Sequence, residues 1–256
     1  MRVLTAIPVY NEERYVQKVL AEVRRYCPDI LVVNDGSTDR TAELLVEQDG
    51  IRVVTHPQNR GYGAALISAF TFSFDHGFDV LLTMDCDGQH EPSRIPVLLE
   101  ALHDADIVSG SRYLRAFRDN TTPPQDRLQI NQQITRELNE RFGLNLTDAF
   151  CGFKAYRSCA LRKLRISENG WGMPLQLWVQ AAHLGLRLKE VAVPRVYLDP
   201  KRAFGGVLND AAERIAYYRK IIDDAEREVR SWERPAEDKT PCWSSLDLGC
   251  CEETCW

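Results

Sequence analysis

The sequence predicts an α/β protein: a doubly wound, Rossmann-like and mostly parallel sheet flanked by helices, with a smaller mixed part after residue 112. Short apolar runs rich in β-branched residues recur through the first half of the chain, and such runs belong to strands buried on both faces. Segments with helical periodicity lie between them. Strand–helix alternation of this kind builds a parallel sheet through right-handed crossovers.

The elements follow in chain order. "RVLTAIPV" (2–9) is the first strand, and "EERYVQKVLAEVRRY" (12–26) places Val16, Val19, Leu20 and Val23 on one helical stripe. "DILVVND" (29–35) is the second strand, followed by "DRTAELLVEQ" (39–48), a helix that Asp39 can cap. "IRVVTH" (51–56) precedes the apolar helix "GYGAALISAFTFSF" (61–74). "FDVLLTMD" (78–85) leads to "EPSRIPVLLEAL" (91–102), with Pro92 in the first turn, where a missing N–H costs nothing. "ADIVSGSR" (105–112) ends the alternation. Beyond it, "LRAFRDNTTPPQ" (114–125) has the composition of a mobile lid, and 126–143 is an amphipathic helix. A short strand (152–157), a helix (172–185) and an edge or mixed-sheet strand (186–198) come next, and a long helix (207–230) follows.

Composition narrows the function classes. The chain has 256 residues, 44% hydrophobic and 27% charged, with a net charge of −5. That is enough for one large domain, and no basic excess points to nucleic acid. No run is long and apolar enough to cross a membrane. The N-terminus reads as a buried strand rather than a signal peptide, so a cytoplasmic location is expected, with peripheral contact at the inner face of a membrane as the alternative. Cys27, Cys86, Cys151 and Cys159 are expected to be reduced thiols in or near the core. Cys242, Cys250, Cys251 and Cys255 crowd a tail (231–256) without periodicity, and their spacing does not suit a zinc knuckle. A mobile tail is the expectation.

Open α/β sheets bind ligands at the carboxyl ends of their strands. Strand ends here carry "IPVYNE", "NDGSTD" and "MDCDGQH", and the loop before the third helix reads "NRGYGAA". Asn11, Glu12, Asp35, Asp85 and Asp87 therefore converge on one rim, and clustered carboxylates call for a cation or for donors. Mg²⁺ or Mn²⁺, held by Asp85 and Asp87 together with phosphate oxygens, fits such a set. Cys86, between the two acids, is expected to point into the sheet. Arg112 of "GSRY" and Arg202 of "DPKRAFGG" are candidate phosphate-binding cations. His90 reads first as a surface residue at a helix entry. Trp171 and Trp178 read as packing residues ahead of sugar platforms.

The combination "IPVYNE", "VVNDGSTDRT", "NRGYGAA", "MDCDGQHEP", "GSRY" and "TDAFCGFKA" resembles family 2 glycosyltransferases of the GT-A fold. Within them it is most similar to the dolichol-phosphate-mannose-synthase-like, polyprenyl-phosphate branch. The resemblance covers roughly residues 2–200. It implies a GT-A domain over 1–230, with a nucleotide-sugar half (1–112) and an acceptor half (113–230). It implies that Pro8, Tyr10, Glu12 and Asp35 hold the nucleoside, with Asn11 and Gly63 beside them. Asp85 and Asp87 would hold the metal, Gln89 lying near, and Asp148 matches the acid beside the acceptor. The implied activity is metal-dependent, inverting transfer from a UDP- or GDP-sugar. The acceptor is a polyprenyl phosphate or another hydroxyl or phosphate group. A hydroxyl acceptor requires a base, for which Asp148 is the first candidate and Glu168 the second; a phosphate acceptor requires none. A nucleotidyltransferase is the competing reading, although "IPVYNE" stands where its Gly-rich loop would be. A non-catalytic nucleotide-sugar-binding protein is the third.

Overall fold

The computed structural model describes residues 1–118, 120–198 and 206–232. Arg202 and the four cysteines of the tail lie outside the described residues.

The alternation is realised almost element for element. β1 (Val3–Val9) leads to α1 (Val16–Val23), β2 (Ile30–Asn34) to α2 (Thr41–Val46), and β3 (Ile51–Thr55) to α3 (Tyr62–Asp75). β4 (Val80–Thr83) leads through a 3₁₀ turn (Pro92–Arg94) to α4 (Ile95–Ala101), and β5 (Ile107–Ser111) follows. Then come α5 (Gln125–Phe142), β6 (Lys154–Arg157), α6 (Ser158–Leu161), α7 (Met173–His183), β7 (Leu188–Ala192) and α8 (Ala211–Arg230). α1 begins later than its apolar pattern, because Glu12–Tyr15 forms the turn that carries the rim. α2 likewise starts after Asp39, whose Oδ1 accepts from the Thr41 amide at 2.9 Å and whose Oδ2 accepts from the Glu13 amide at 3.1 Å. Asp39 thus braces the helix entry against the β1 loop rather than serving as the N-cap itself.

All strands share one seven-stranded sheet in the order β3-β2-β1-β4-β6-β5-β7. The pairs β1–β2, β2–β3, β1–β4 and β5–β7 are parallel; β6 is antiparallel to both its neighbours. The expected parallel run from β4 to β5 is therefore interrupted, and the two halves interleave in a single sheet. This reversal has a consequence for the site. An antiparallel strand begins at the edge where its parallel neighbours end, so residues 148–152, just before β6, are delivered to the carboxyl rim.

Two apolar layers cover the sheet. One packs α3, α5, α7 and α8 on Leu4, Leu31, Leu81 and Tyr156; the other packs α1 and α4 on Ile7, Val32, Leu82 and Phe153. Each fully buried Leu, Ile or Phe side chain contributes ~1.5–3 kcal/mol relative to exposure. Trp178 is fully buried, with its Nε1 donating to Ala149 O at 2.9 Å, so it is a packing residue as expected. Cys27, Cys86 and Cys151 are free and buried, and Cys86 joins the α1/α4 layer. Cys159 is disulfide-bonded, so the expectation of a reduced thiol does not hold there. Among the described residues no helix is long and apolar enough to cross a membrane.

Candidate active site

The carboxyl edge of the sheet opens into a cavity of about 1160 Å³. Pro8, Tyr10, Asn11, Glu12, Asp35, Asp85, Asp87, Gln89 and Arg112 all line it, so most of the rim read from the sequence does converge.

Asp85 and Asp87 occupy the turn after β4, each held by a neighbour. The Asp85 Oδ1 accepts from the Tyr62 hydroxyl at 3.1 Å, and its Oδ2 faces His90 Nε2 at 3.8 Å. The Asp87 carboxylate accepts from the Gln89 amide at 3.0 Å and from Gln89 Nε2 at 2.5 Å. Gly152 makes room for Asp85: a Cβ there would lie 2.6 and 2.7 Å from the two carboxylate oxygens, closer than any side chain can come. His90 is not the surface residue expected from its place at a helix entry. Its side chain is 7% exposed, stacks on Phe153 at 5.2 Å and accepts at Nδ1 from the Asp85 amide at 3.0 Å. The turn folds it inward because its ring caps the end of β4. Burial disfavours a charged imidazole, but Asp85 and Cys151, with Asp87 adding less, outweigh it and lift the pKa to about 9. With Nδ1 accepting from the Asp85 amide, a ring proton on Nε2 faces Asp85 Oδ2.

Two carboxylates on one turn form an all-oxygen partial shell, the chemistry that hard divalent ions take when phosphate oxygens and water complete the set. No cluster of three or more His, Cys, Asp or Glu that could hold an ion by itself occurs among the described residues. The residues present therefore fit a Mg²⁺ or Mn²⁺ that arrives with a diphosphate.

On the β1–β2 side the polar residues hold each other as well as the cavity. Asn11 takes a left-handed φ of 56°, a conformation its short amide tolerates. Its Oδ1 accepts from the Thr38 amide at 2.8 Å, which pins the β1 loop to the β2 loop. The Glu12 amide donates to Thr41 Oγ1 at 2.8 Å, and its side chain is buried. Asp35 is 3% exposed and accepts from the Arg60 and Gly61 amides at 2.9 and 2.8 Å. It also meets His56 Nδ1 at 2.6 Å. Asp35 therefore shapes the "NRGYG" loop as well as facing the cavity. Gly63 does not line the cavity. It lets α3 meet the 168–170 loop, where a Cβ would fall 2.1 Å from Glu168 O.

The acid delivered by the approach to β6 is of a different kind. Asp148 is completely buried. Its Oδ2 accepts from Arg112 Nε at 2.7 Å, and its Oδ1 from Arg112 Nη2 at 2.9 Å and Asn131 Nδ2 at 2.7 Å. The Phe150 amide adds a contact at 3.2 Å. Burial alone would raise its pKa; Arg112 and then Asn131 more than offset this and hold it below the usual carboxylate value. The Thr147–Asp148 backbone is fixed by Glu190 on β7, which accepts from both amides at 2.8 and 3.0 Å. Lys154 lies buried at the start of β6, donating to Cys151 O, with its Nζ 5.3 Å from the Trp178 ring. Glu168 does not line the cavity either. Its Oε1 accepts from the Tyr217 hydroxyl at 2.5 Å and the Gly170 amide at 2.8 Å, so it anchors its own loop to α8.

Several cavity residues escape the sequence reading. Arg127 and Arg214 also line the cavity, and Arg214 is buried and paired with Asp126 at 2.5 Å. Nothing in an amphipathic helix pattern marks which arginines face a cavity. Tyr62 and Gly152 stand inside the segments "NRGYGAA" and "TDAFCGFKA" that carried the resemblance, so those segments were signal for them. The 114–125 loop is partly tied down: the Thr121 amide donates to Arg195 O at 2.8 Å, and the Tyr197 amide donates to Thr121 Oγ1 at 2.7 Å.

The mostly parallel seven-stranded sheet with helices on both faces is of the GT-A class of fold. Residues 5–165 match Glycosyl transferase family 2, and the chain belongs to that family and is a glycosyltransferase. It is 35% identical over 222 residues to an undecaprenyl-phosphate mannosyltransferase of Micrococcus luteus, covering 82% of this chain and 91% of that one. It is 32% identical over 203 residues to a polyprenol monophosphomannose synthase of Mycolicibacterium smegmatis, covering 75% and 76%. Among solved structures it is similar to glucosyl-3-phosphoglycerate synthase from Mycobacterium tuberculosis in complex with Mn²⁺, uridine-diphosphate and phosphoglyceric acid. The TM-score is 0.64 and the identity 16%, over 92% of this chain and 80% of that one. Mannosyl-3-phosphoglycerate synthase from Rubrobacter xylanophilus gives a TM-score of 0.67 at 16% identity, over 94% and 79%. At these identities the structural likeness is one of fold.

Proposed function

We propose that this chain transfers a sugar from a nucleoside-diphosphate donor to a polyprenyl phosphate. One observation carries the choice of acceptor. The cavity lining contributed by residues after 112 includes Arg127 and Arg214 but no carboxylate among the described residues. The nearby acid, Asp148, is buried, paired with Arg112 and held ionised. A hydroxyl nucleophile needs a base within hydrogen-bond reach, and among the described residues this side of the cavity offers none. A phosphate is already an anion and needs only cations to hold it. The relatives named for undecaprenyl phosphate and polyprenol support the same acceptor.

In this reading Asp85 and Asp87 hold Mg²⁺ or Mn²⁺, which when bound offsets the charge that develops on the departing diphosphate. Gln89 and Tyr62 keep the two carboxylates in place. Pro8, Tyr10, Asn11, Glu12 and Asp35 shape the floor on which the nucleoside rests. Arg112, locked by Asp148, and Arg127 orient the acceptor phosphate. An acceptor oxygen attacks the anomeric carbon from the face opposite the leaving group. One C–O bond forms as the other breaks, the electron pair leaves with the nucleoside diphosphate, and no proton moves. A single displacement of this kind inverts the anomeric centre.

The test is transfer by the purified chain from GDP-mannose and UDP-sugars, with Mn²⁺, to undecaprenyl phosphate and to undecaprenol in parallel. Transfer to the phosphate alone, with an inverted linkage, is expected. Equal transfer to the free alcohol overturns the reading.

A further inference from the structure

We propose that Tyr62 and Trp171 form a stacked pair that positions the metal carboxylate Asp85, and so makes donor binding depend on a loop of the acceptor half. The inference rests on the reading of Asp85 as a metal ligand.

The chain of contacts is short. The Tyr62 hydroxyl donates to Asp85 Oδ1 at 3.1 Å, and its ring stacks on Trp171 with centroids 5.1 Å apart and planes 12° apart. Tyr62 is the first residue of α3, so a helix end alone fixes its backbone while the ring is set by what packs on it. Trp171 supplies that surface from the 168–172 loop, and it lines the cavity with 37% of its area exposed. A tryptophan standing on the surface between Gly170 and Gly172 would ordinarily be mobile. Here the loop is fixed from two sides. On one side Gly61 and Gly63 let α3 approach, and the Ala64 amide donates to Asn169 O at 3.0 Å. On the other, Tyr217 of α8 donates to Glu168 at 2.5 Å and accepts from the Gly172 amide at 3.1 Å. Glu168 therefore acts as a brace for the tryptophan. Gly152 completes the arrangement: a Cβ there would meet the Tyr62 hydroxyl at 2.7 Å as well as both Asp85 oxygens.

Partners that orient a metal ligand typically change metal affinity ~10–100-fold when removed. Tyr62→Phe keeps the stack and loses the hydroxyl, so it isolates the contact with Asp85. Trp171→Phe keeps a stacking surface; Trp171→Ala removes it. The experiment measures Mn²⁺ affinity in the presence of UDP or GDP by the electron paramagnetic resonance signal of free Mn²⁺, with melting temperature as the check on folding. Tyr62→Phe should weaken Mn²⁺ about 10-fold. Trp171→Ala should weaken it by a smaller factor, and Trp171→Phe should restore most of that loss. Because Trp171 acts through the hydroxyl, Trp171→Ala should cost nothing more in a Tyr62→Phe background. Independent, multiplying losses, or unchanged affinity in Tyr62→Phe, overturn the proposal. Asp85→Asn is the separate arm: undiminished Mn²⁺ affinity there removes the metal reading itself, and with it this inference.

Discussion

Asp85 and Asp148 are both aspartates at the carboxyl edge of one sheet, yet their surroundings oppose each other. Asp85 lines the cavity, is steadied by the Tyr62 hydroxyl with His90 Nε2 at 3.8 Å, and shares its turn with a second acid at Asp87. Asp148 is fully buried, and the Arg112 guanidinium and Asn131 amide occupy its oxygens. The first arrangement presents two carboxylates to the cavity, and in the proposed function these hold a metal ion. The second has its cation built in, and what it presents to the cavity is the arginine. On the proposed function, the one carboxylate is a ligand and the other a foundation, according to whether the counter-charge comes from outside or from the fold.

The largest effect that could break this contrast is loss of the open station. Asp85→Asn with Asp87→Asn should abolish metal-dependent binding of UDP or GDP and lower turnover at least ~10²–10³-fold, with the fold retained. Calorimetric titration with and without Mn²⁺ reads the first, and undiminished affinity would end the metal assignment. Gly152→Ala reaches the same station without touching a charge. Its Cβ displaces the Asp85 carboxylate, so Mn²⁺-dependent nucleotide affinity should fall ~10-fold or more while melting temperature changes little.

The closed station should fail differently. Asp148→Ala leaves the Arg112 charge buried without its partner and should cost about 3–5 kcal/mol of stability in denaturant unfolding. Its pH dependence sharpens the comparison. The folded-state pKa of Asp148 is lowered, chiefly by Arg112 acting against burial. Its stabilising contribution is therefore complete above the unfolded value of ~3.9 and is lost as pH falls through the lower folded value. The stability difference between the wild type and Asp148→Asn should then be flat from pH 5 to 8. A difference that changes near neutrality would mean a raised pKa, as a base requires. The smallest effect concerns the 114–125 loop. Bonds between Thr121 and Arg195 or Tyr197 already restrain it, so nucleotide with Mn²⁺ should slow proteolysis there only modestly. No change at all would remove it as a lid.

Much of this was legible in the chain. Apolar runs place β1 to β5, and "IPVYNE", "NDGSTD" and "MDCDGQH" place the rim, because a strand end and its turn are local in sequence. The sequence shows β6 as a strand but not its antiparallel insertion between β4 and β5, since pairing partners depend on long-range packing. The burial of His90 is hidden from the sequence for a related reason: a polar residue after a turn is exposed unless a ring such as Phe153 receives it.

By itself, then, the sequence determined the family, the alternating sheet and the carboxylates at its edge, all of them set by short-range periodicity and contiguous motifs. Only the tertiary structure decided what surrounds each acid. The reversal of β6 brings Gly152 against Asp85 and Asp148 against Arg112, and the 168–172 loop sets Trp171 on Tyr62. Those pairings join residues far apart in the chain, and it is burial and the identity of the partner that separate the cavity-facing Asp85 from the buried Asp148.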